Sequence, residues 1–201
     1  ATGGTLITFV LQLLERSKTG TKSELIDLIR AMQITSSARR EISIDMNNEF
    51  QISQLLEPRT FSHYLRLFDS GSTPSQNEKD PVSRGATTHV SVIDKHGNAA
   101  SVTTTNGEGC GYIIPELGMM LNNMLGEEDL NPMGFHQWAH QRRLPTMISP
   151  SIIMQDKRPF ILLGSGGSNR IRSAIVQVIL NYIVKGKALE EVILSPRIHL
   201  E

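Results

Sequence analysis

The chain changes its periodicity across one polar stretch, from helical spacing before it to strand spacing after it. Before residue 69, apolar residues recur at helical spacing; from Thr87 the pattern is that of strands. Between them, Asp69-Ser70-Gly71-Ser72-Thr73-Pro74-Ser75-Gln76-Asn77-Glu78-Lys79-Asp80-Pro81 has almost no apolar content and reads as an exposed linker.

In the first part, Leu6, Val10, Leu13 and Leu14 predict an amphipathic helix over residues 5–16. A second helix opens with Thr21 or Ser23 as its cap and runs through Leu28, Ile29 and Met32. Residues 39–50 are ambiguous, and a short helix is expected over Phe61–Phe68. After the linker, Thr87–Asp94, the turn Asp94-Lys95-His96-Gly97-Asn98 and the return run Ala99–Thr105 read as a β-hairpin. A glycine-rich loop, Gly107–Gly111, follows, and residues 121–145 read as irregular and polar. Strands resume at Ser151–Met154 and Pro159–Leu163 around the turn Gln155–Arg158. Gly164–Asn169 then leads into a helix over Ile171–Val184, and a short helix over Leu189–Leu194 precedes Pro196-Arg197-Ile198-His199.

Composition narrows the function classes. At 201 residues the chain can bury a sizeable core. Twenty basic and twenty acidic residues cancel, so nothing points to nucleic acid or an anionic membrane as partner. The single cysteine, Cys110, excludes an internal disulfide framework, which fits a reducing compartment and an exported chain equally well. No apolar run reaches transmembrane length.

Several residues could carry chemistry. Ser83-Arg84-Gly85-Ala86 supplies small, bendable residues directly before Thr87. Cleavage after Ala86 would leave Thr87 with a hydroxyl nucleophile and a free α-amine as its base. The plainer reading of Thr87-Thr88 is a pair of stiff β-formers. Backbone N–H groups of Gly164-Ser165-Gly166-Gly167-Ser168-Asn169 can converge on an anion or an oxyanion, or simply turn strand into helix. A nucleotide phosphate is a weaker option, because neither the P-loop lysine pattern nor a G-x-G-x-x-G spacing is present. His136 and His140 stand four apart and would share a helix face, yet no zincin glutamate or third ligand accompanies them, and solvated histidines are the better reading. Cys110 has no neighbour that would activate it. The acidic run Glu127-Glu128-Asp129 is either a solvated face or a seat for a substrate ammonium group, with Asn122 and Asn123 supplying oriented amides.

Taken in order, these segments resemble the γ-glutamyltranspeptidase family of N-terminal-nucleophile hydrolases. Thr87–Ala99 resembles the start of that family's small subunit, and Leu121-Asn122-Asn123 with the following acids resembles its substrate-amine segment. Gly164–Ser168 followed by Arg170-Ile171 resembles its oxyanion loop, and Pro196-Arg197-Ile198-His199 a later signature. Thr2-Gly3-Gly4-Thr5-Leu6 resembles a segment near the end of the large subunit. The resemblance covers residues 87–201 well and 1–68 loosely.

It implies an α/β (α+β) fold, the αββα four-layer sandwich, incomplete in this chain. Residues 1–68 would be the helical end of a large-subunit-like segment, 69–86 a linker with the Ala86/Thr87 junction, and 87–201 a catalytic small-subunit-like segment. It implies a γ-glutamyl compound such as glutathione as acyl donor, an amine or water as acceptor, and no metal or organic cofactor. The remaining large-subunit segment would be a partner, in a heterodimer of cleaved pieces or a homo-oligomer. Residue by residue, Thr87 would be nucleophile and base, and Thr105 its hydrogen-bonding threonine. Asn106 would lie near substrate, and Glu127, with Glu128 one register away, would pair the substrate ammonium. Thr146 would bind the α-carboxylate, and Gly167 with Ser168, or Gly166 with Gly167, would supply the oxyanion donors. Two departures stand out: Met147 occupies a serine position and Met124 a position usually polar. No counterpart of the family's carboxylate-binding arginine is visible, which suggests a piece of a larger precursor. An acylase on the same fold and a non-catalytic binding module are the rival expectations.

Overall fold

A computed structural model of the chain describes residues 2–18, 24–44, 52–72, 87–131, 134–138, 140–141 and 144–200. The expected caps Thr21 and Ser23, linker residues 73–86 and Ala86 of the junction lie outside the described residues. Helices and strands both occur, and they fall into two compact units: one of residues 81–171 with Gly3, and one of residues 4–80 and 172–201 with Thr2.

The helical unit follows its apolar periodicity. Helix α1 (Thr2–Arg16) buries Leu6, Phe9 and Leu13 completely. Phe9 meets the rings of Phe61 and Tyr64 edge-on at 5.7 and 5.6 Å, the favoured aromatic geometry. Helix α2 (Leu25–Ile44) runs past Met32 into the ambiguous stretch, where Arg39, Arg40 and Glu41 favour helix. Helix α3 (Pro58–Asp69) starts with proline in its first turn, where the missing N–H costs nothing. Tyr64 on α3 donates to Glu41 Oε2 at 2.8 Å. Its burial, together with that carboxylate, pushes the phenol pKa well above its usual value.

Helix α4 (Arg170–Ile179) is shorter than its apolar spacing predicts. The turn Leu180–Val184 widens to a π-helix, with Lys185 N–H reaching Leu180 O at 3.0 Å, before the short helix α5 (Leu189–Leu194). Gln177 on α4 treats Ile198 as a strand neighbour: its Nε2 donates to Ile198 O at 2.8 Å, and Ile198 N–H donates to its Oε1 at 3.0 Å. The adjacent Ser173 Oγ and His199 Nδ1 are 2.5 Å apart, so the Pro196–His199 segment is hydrogen-bonded to α4.

Among the described residues, the strand unit is built from three antiparallel pairs. Strands β1 (Thr87–Ile93) and β2 (Ala99–Thr105) form the expected hairpin, in register Thr87↔Thr105, His89↔Thr103 and Ser91↔Ser101. Asp94 fixes the turn by accepting from the N–H groups of His96 and Asn98 and from the Asn98 amide at 2.8, 2.9 and 2.7 Å. The two-residue strands β3 (Ile113–Ile114) and β4 (Met119–Met120) pair just after the glycine-rich loop, in a stretch to which the sequence assigns no element. Strands β5 (Ser151–Gln155) and β6 (Arg158–Leu163) join through Asp156 and Lys157, both at positive φ as a twisted two-residue hairpin requires. β6 runs close to β1 and β2 without pairing with them.

Candidate active site

The period-two alternation of the β1–β2 hairpin puts Thr87, His89 and Ser91 on one face, directly across from Thr105, Thr103 and Ser101. That face is polar, and its groups pair across the strands. Thr87 Oγ1 donates to Thr105 Oγ1 at 3.0 Å, and the Gly107 N–H donates to the same Thr105 oxygen at 3.1 Å. The hydroxyl that opens β1 is therefore held by the residue that closes β2. A one-residue slip of register would turn both threonines to the other face.

A cleft opens beside Thr87 and Thr105. Its polar walls also include Glu127, Thr146 and Ser168; its apolar walls are Met124, Leu130, Met147, Ile148 and Ile171. Glu127 is half-buried and reaches the cleft where Gly107 passes: its Oε1 and Asn123 Oδ1 occupy the space a Cβ on Gly107 would need. Glu128 opens a short 3-10 turn (Glu128–Leu130) and is exposed, outside the cleft walls. Thr146 turns its Oγ1 to the Ile148 N–H at 3.2 Å. Asn106 is exposed at the end of β2, and its carbonyl accepts the N–H groups of Gly109 and Asn123.

The Gly164–Asn169 loop lies against Thr87. A Cβ on Gly166 would stand 2.8 Å from Thr87 O and 3.3 Å from Thr87 Cβ, so only glycine lets the loop come this close. Beyond it, Gly167 and Ser168 both take positive φ, 116° and 52°. Their carbonyls then accept the first N–H groups of α4, from Arg170 and Ile171.

Four candidate residues are not among the cleft walls. His136 and His140 are exposed, in turns rather than on a helix, so their spacing does not put them on one face. Among the described residues no group of His, Cys, Asp and Glu could hold a metal. Cys110 is exposed and its sulfur accepts the Tyr112 N–H at 3.4 Å. Asn123 does not offer its amide oxygen to the cleft: that oxygen accepts from Glu108 N–H and Gly109 N–H at 2.8 and 3.1 Å.

Sequence reading missed the residue that holds the acidic segment. Asn131, nearly buried, donates from Nδ2 to Leu125 O and Glu127 O at 2.9 and 2.7 Å. No motif marks it, since its partners are carbonyls, which any residue supplies. His89 likewise carries no motif and reads from the sequence as one polar residue of a strand.

A threonine thus opens β1, a second threonine accepts its hydroxyl, and a glycine loop lies against its backbone. The chain belongs to the gamma-glutamyltranspeptidase family, whose model matches residues 1–201. It is 36% identical over 126 residues to the glutathione hydrolase proenzyme of Bacillus subtilis subsp. natto, covering 62% of this chain and 21% of that protein. It is 35% identical over 117 residues to the acylase ACY 1 proenzyme of Pseudomonas sp. (strain SE83), covering 57% and 21%. It thus spans about a fifth of the length of these curated relatives. Among solved structures, gamma-glutamyltranspeptidase from Pseudomonas nitroreducens matches with a TM-score of 0.51 and 28% identity, over 57% of this chain and 65% of that one.

Proposed function

We propose that this chain carries the nucleophile-bearing part of a γ-glutamyl amide hydrolase or transferase that uses the N-terminal threonine exposed by its own cleavage. The observation that carries the reading is the surroundings of Thr87: its hydroxyl donates to Thr105, its backbone meets Gly166, and it lines the cleft that contains Glu127.

In the precursor, Thr87 Oγ attacks the Ala86 carbonyl carbon and the C–N bond breaks. The resulting ester is opened by water, leaving a carboxylate on Ala86 and a free amine on Thr87. In turnover the α-amine takes the hydroxyl proton as Oγ adds to the substrate amide carbon. The tetrahedral oxyanion is met by the N–H groups of Gly167 and Ser168, or of Gly166 and Gly167, donors typically worth roughly 3–4 kcal/mol each. The amine leaves with the proton from the Thr87 ammonium, and water or an amine releases the acyl group from the Thr87 ester. Glu127 is positioned to pair the substrate α-ammonium, with Glu128 the less favoured candidate. Thr146, in the cleft wall, would bind the α-carboxylate, and Asn106, next to Thr105 in sequence, would lie near the substrate. No step calls for a metal or organic cofactor. This reading includes the αββα sandwich as the complete fold, residues 1–68 as the large-subunit-like part, 69–86 as the junction segment, 87–201 as the catalytic part, and a heterodimer of the cleaved pieces.

Intact mass under denaturing conditions, taken on the full-length protein, tests the reading. Wild type should give two species split between Ala86 and Thr87. Thr87→Ala should stay whole and lose acyl transfer by roughly three orders of magnitude or more, while Thr87→Ser still cleaves. Processing of Thr87→Ala at the normal rate would end the nucleophile assignment.

A second reading, an acylase acting on a less polar amide, is favoured by the five apolar cleft walls, Met124 and Met147 among them, and by the acylase relatives. Thioethers in place of hydroxyls weaken recognition of a carboxylate. A panel of γ-glutamyl and non-γ-glutamyl anilides separates the two: strong γ-glutamyl selectivity argues against the acylase.

A further inference from the structure

Two contacts fix the path of the Gly164–Ser168 loop, and they run in opposite order to the strand below. Gly166 sits on Thr87, and Gly164 sits on the imidazole of His89. A Cβ on Gly164 would collide with Nδ1, Cε1 and Cγ of that ring. The ring itself is tied at both ends: Nδ1 lies 2.8 Å from Thr103 Oγ1 on β2, and Nε2 lies 2.8 Å from Ser91 Oγ on β1. It cannot rotate without losing one of these hydrogen bonds. A tethered, half-buried ring therefore forms a rigid floor two residues upstream of the point where the loop touches Thr87.

We infer that His89 is a positioning residue: its doubly tethered imidazole sets the height of Gly164 and so the aim of the Gly166–Ser168 backbone at Thr87. This rests on the function proposed above, since the loop matters to turnover only if Thr87 is the nucleophile. The chemistry asked of His89 is steric and orientational; it transfers no proton to the reacting atoms. Ser91 and Thr103 serve it as anchors, which gives the polar face of the hairpin a task beyond Thr87 and Thr105.

The pair His89–Gly164 can be tested as a unit in the full-length protein with His89→Ala, Gly164→Ala and the double variant. Gly164→Ala drives a methyl into the ring and should lower kcat about tenfold or more with KM within about twofold, because the lost interaction is made in the transition state. His89→Ala removes the floor and should lower kcat to a similar degree. In the double variant the methyl enters the space the ring vacates, so the added cost of Gly164→Ala should shrink to about threefold or less, the mark of two residues acting as one. A general structural defect would give independent, multiplying losses, and that outcome overturns the inference. Amide hydrogen exchange of the peptide carrying Gly164–Asn169 supplies a readout that needs no turnover. Exchange should quicken in His89→Ala, and exchange unchanged from wild type overturns the inference even in an inactive protein. Thr87→Ala in parallel keeps the two ideas apart. Activity surviving in Thr87→Ala sinks the functional reading, whereas an inert Thr87→Ala with multiplying losses at 89 and 164 sinks only the role of His89.

Discussion

The two compact units turn opposite faces inward. In the helical unit, the residues with no exposure among those described are apolar: Leu6, Phe9, Leu13, Ala31, Ile34, Ala38 and Leu55. In the β1–β2 hairpin the arrangement is reversed. Thr103 is buried while Val90, Val92 and Val102 are 55, 55 and 53% exposed. Burying hydroxyls is tolerable there because they pair across the strands, Thr87 with Thr105 and Thr103 with His89. What apolar burial the strand unit has includes Leu130, Met147 and Ile171, all at the cleft. One unit is organised to be stable, the other to present chemistry on a surface. Mutational effects should divide accordingly, into losses of stability and losses of turnover.

The largest stability effect is expected at Phe9. Phe9→Ala removes a completely buried ring with two edge-on aromatic neighbours and should cost about 3–5 kcal/mol in urea unfolding. A loss below about 1 kcal/mol would contradict a helical core centred on that ring. A smaller effect, and one on binding, is expected in the strand unit. Glu127→Gln should raise KM for a γ-glutamyl donor roughly 10- to 100-fold, the scale of one charge-assisted hydrogen bond, with Glu128→Gln near wild type. The reverse pattern would assign the substrate ammonium to Glu128 and break the link between cleft and function.

The smallest effects concern pH, and the two units should respond at opposite ends of the scale. The folded pKa of Tyr64 is raised, so its contribution is complete below the unfolded value of 10.0 and is lost as pH rises beyond it. Asp94 is lowered, chiefly by the Asn98 side chain and then by backbone N–H groups of the turn. Its contribution is present above the unfolded value of 3.8 and is lost as pH falls through the lower folded value. Tyr64→Phe should flatten the alkaline limb of a stability–pH curve and Asp94→Asn the acid limb. Exchange of the two effects between the limbs would show that the shifts have been assigned to the wrong groups.

Local patterns made much of this readable from the sequence. Helical spacing in Leu6, Val10, Leu13 and Leu14 belongs to one segment, and so does the Asp94–Asn98 turn that sets the hairpin register. Once the register is known, Thr87 and Thr105 must oppose each other. The strands β3 and β4 were not readable, because two-residue strands carry no period. Nor was the π turn at Leu180, since the apolar spacing continues through Ile183. Glu127 and Glu128 are neighbours in sequence, and contacts such as the approach of Gly107 and the hold of Asn131 on the Glu127 carbonyl separate their surroundings. The pairing of His89 with Gly164 joins residues 75 positions apart (164 minus 89), a distance no local pattern spans.

The backbone at Ser168 carries one more consequence. A serine held at φ 52° sits where glycine would be more comfortable by roughly 1–2 kcal/mol. Ser168→Gly should therefore make the protein harder to melt while letting the loop beside Thr87 wander. A laboratory lineage selected only for heat tolerance would drift toward glycine at 168, and one selected for turnover would hold the serine. At this single dihedral, endurance and aim are set against each other.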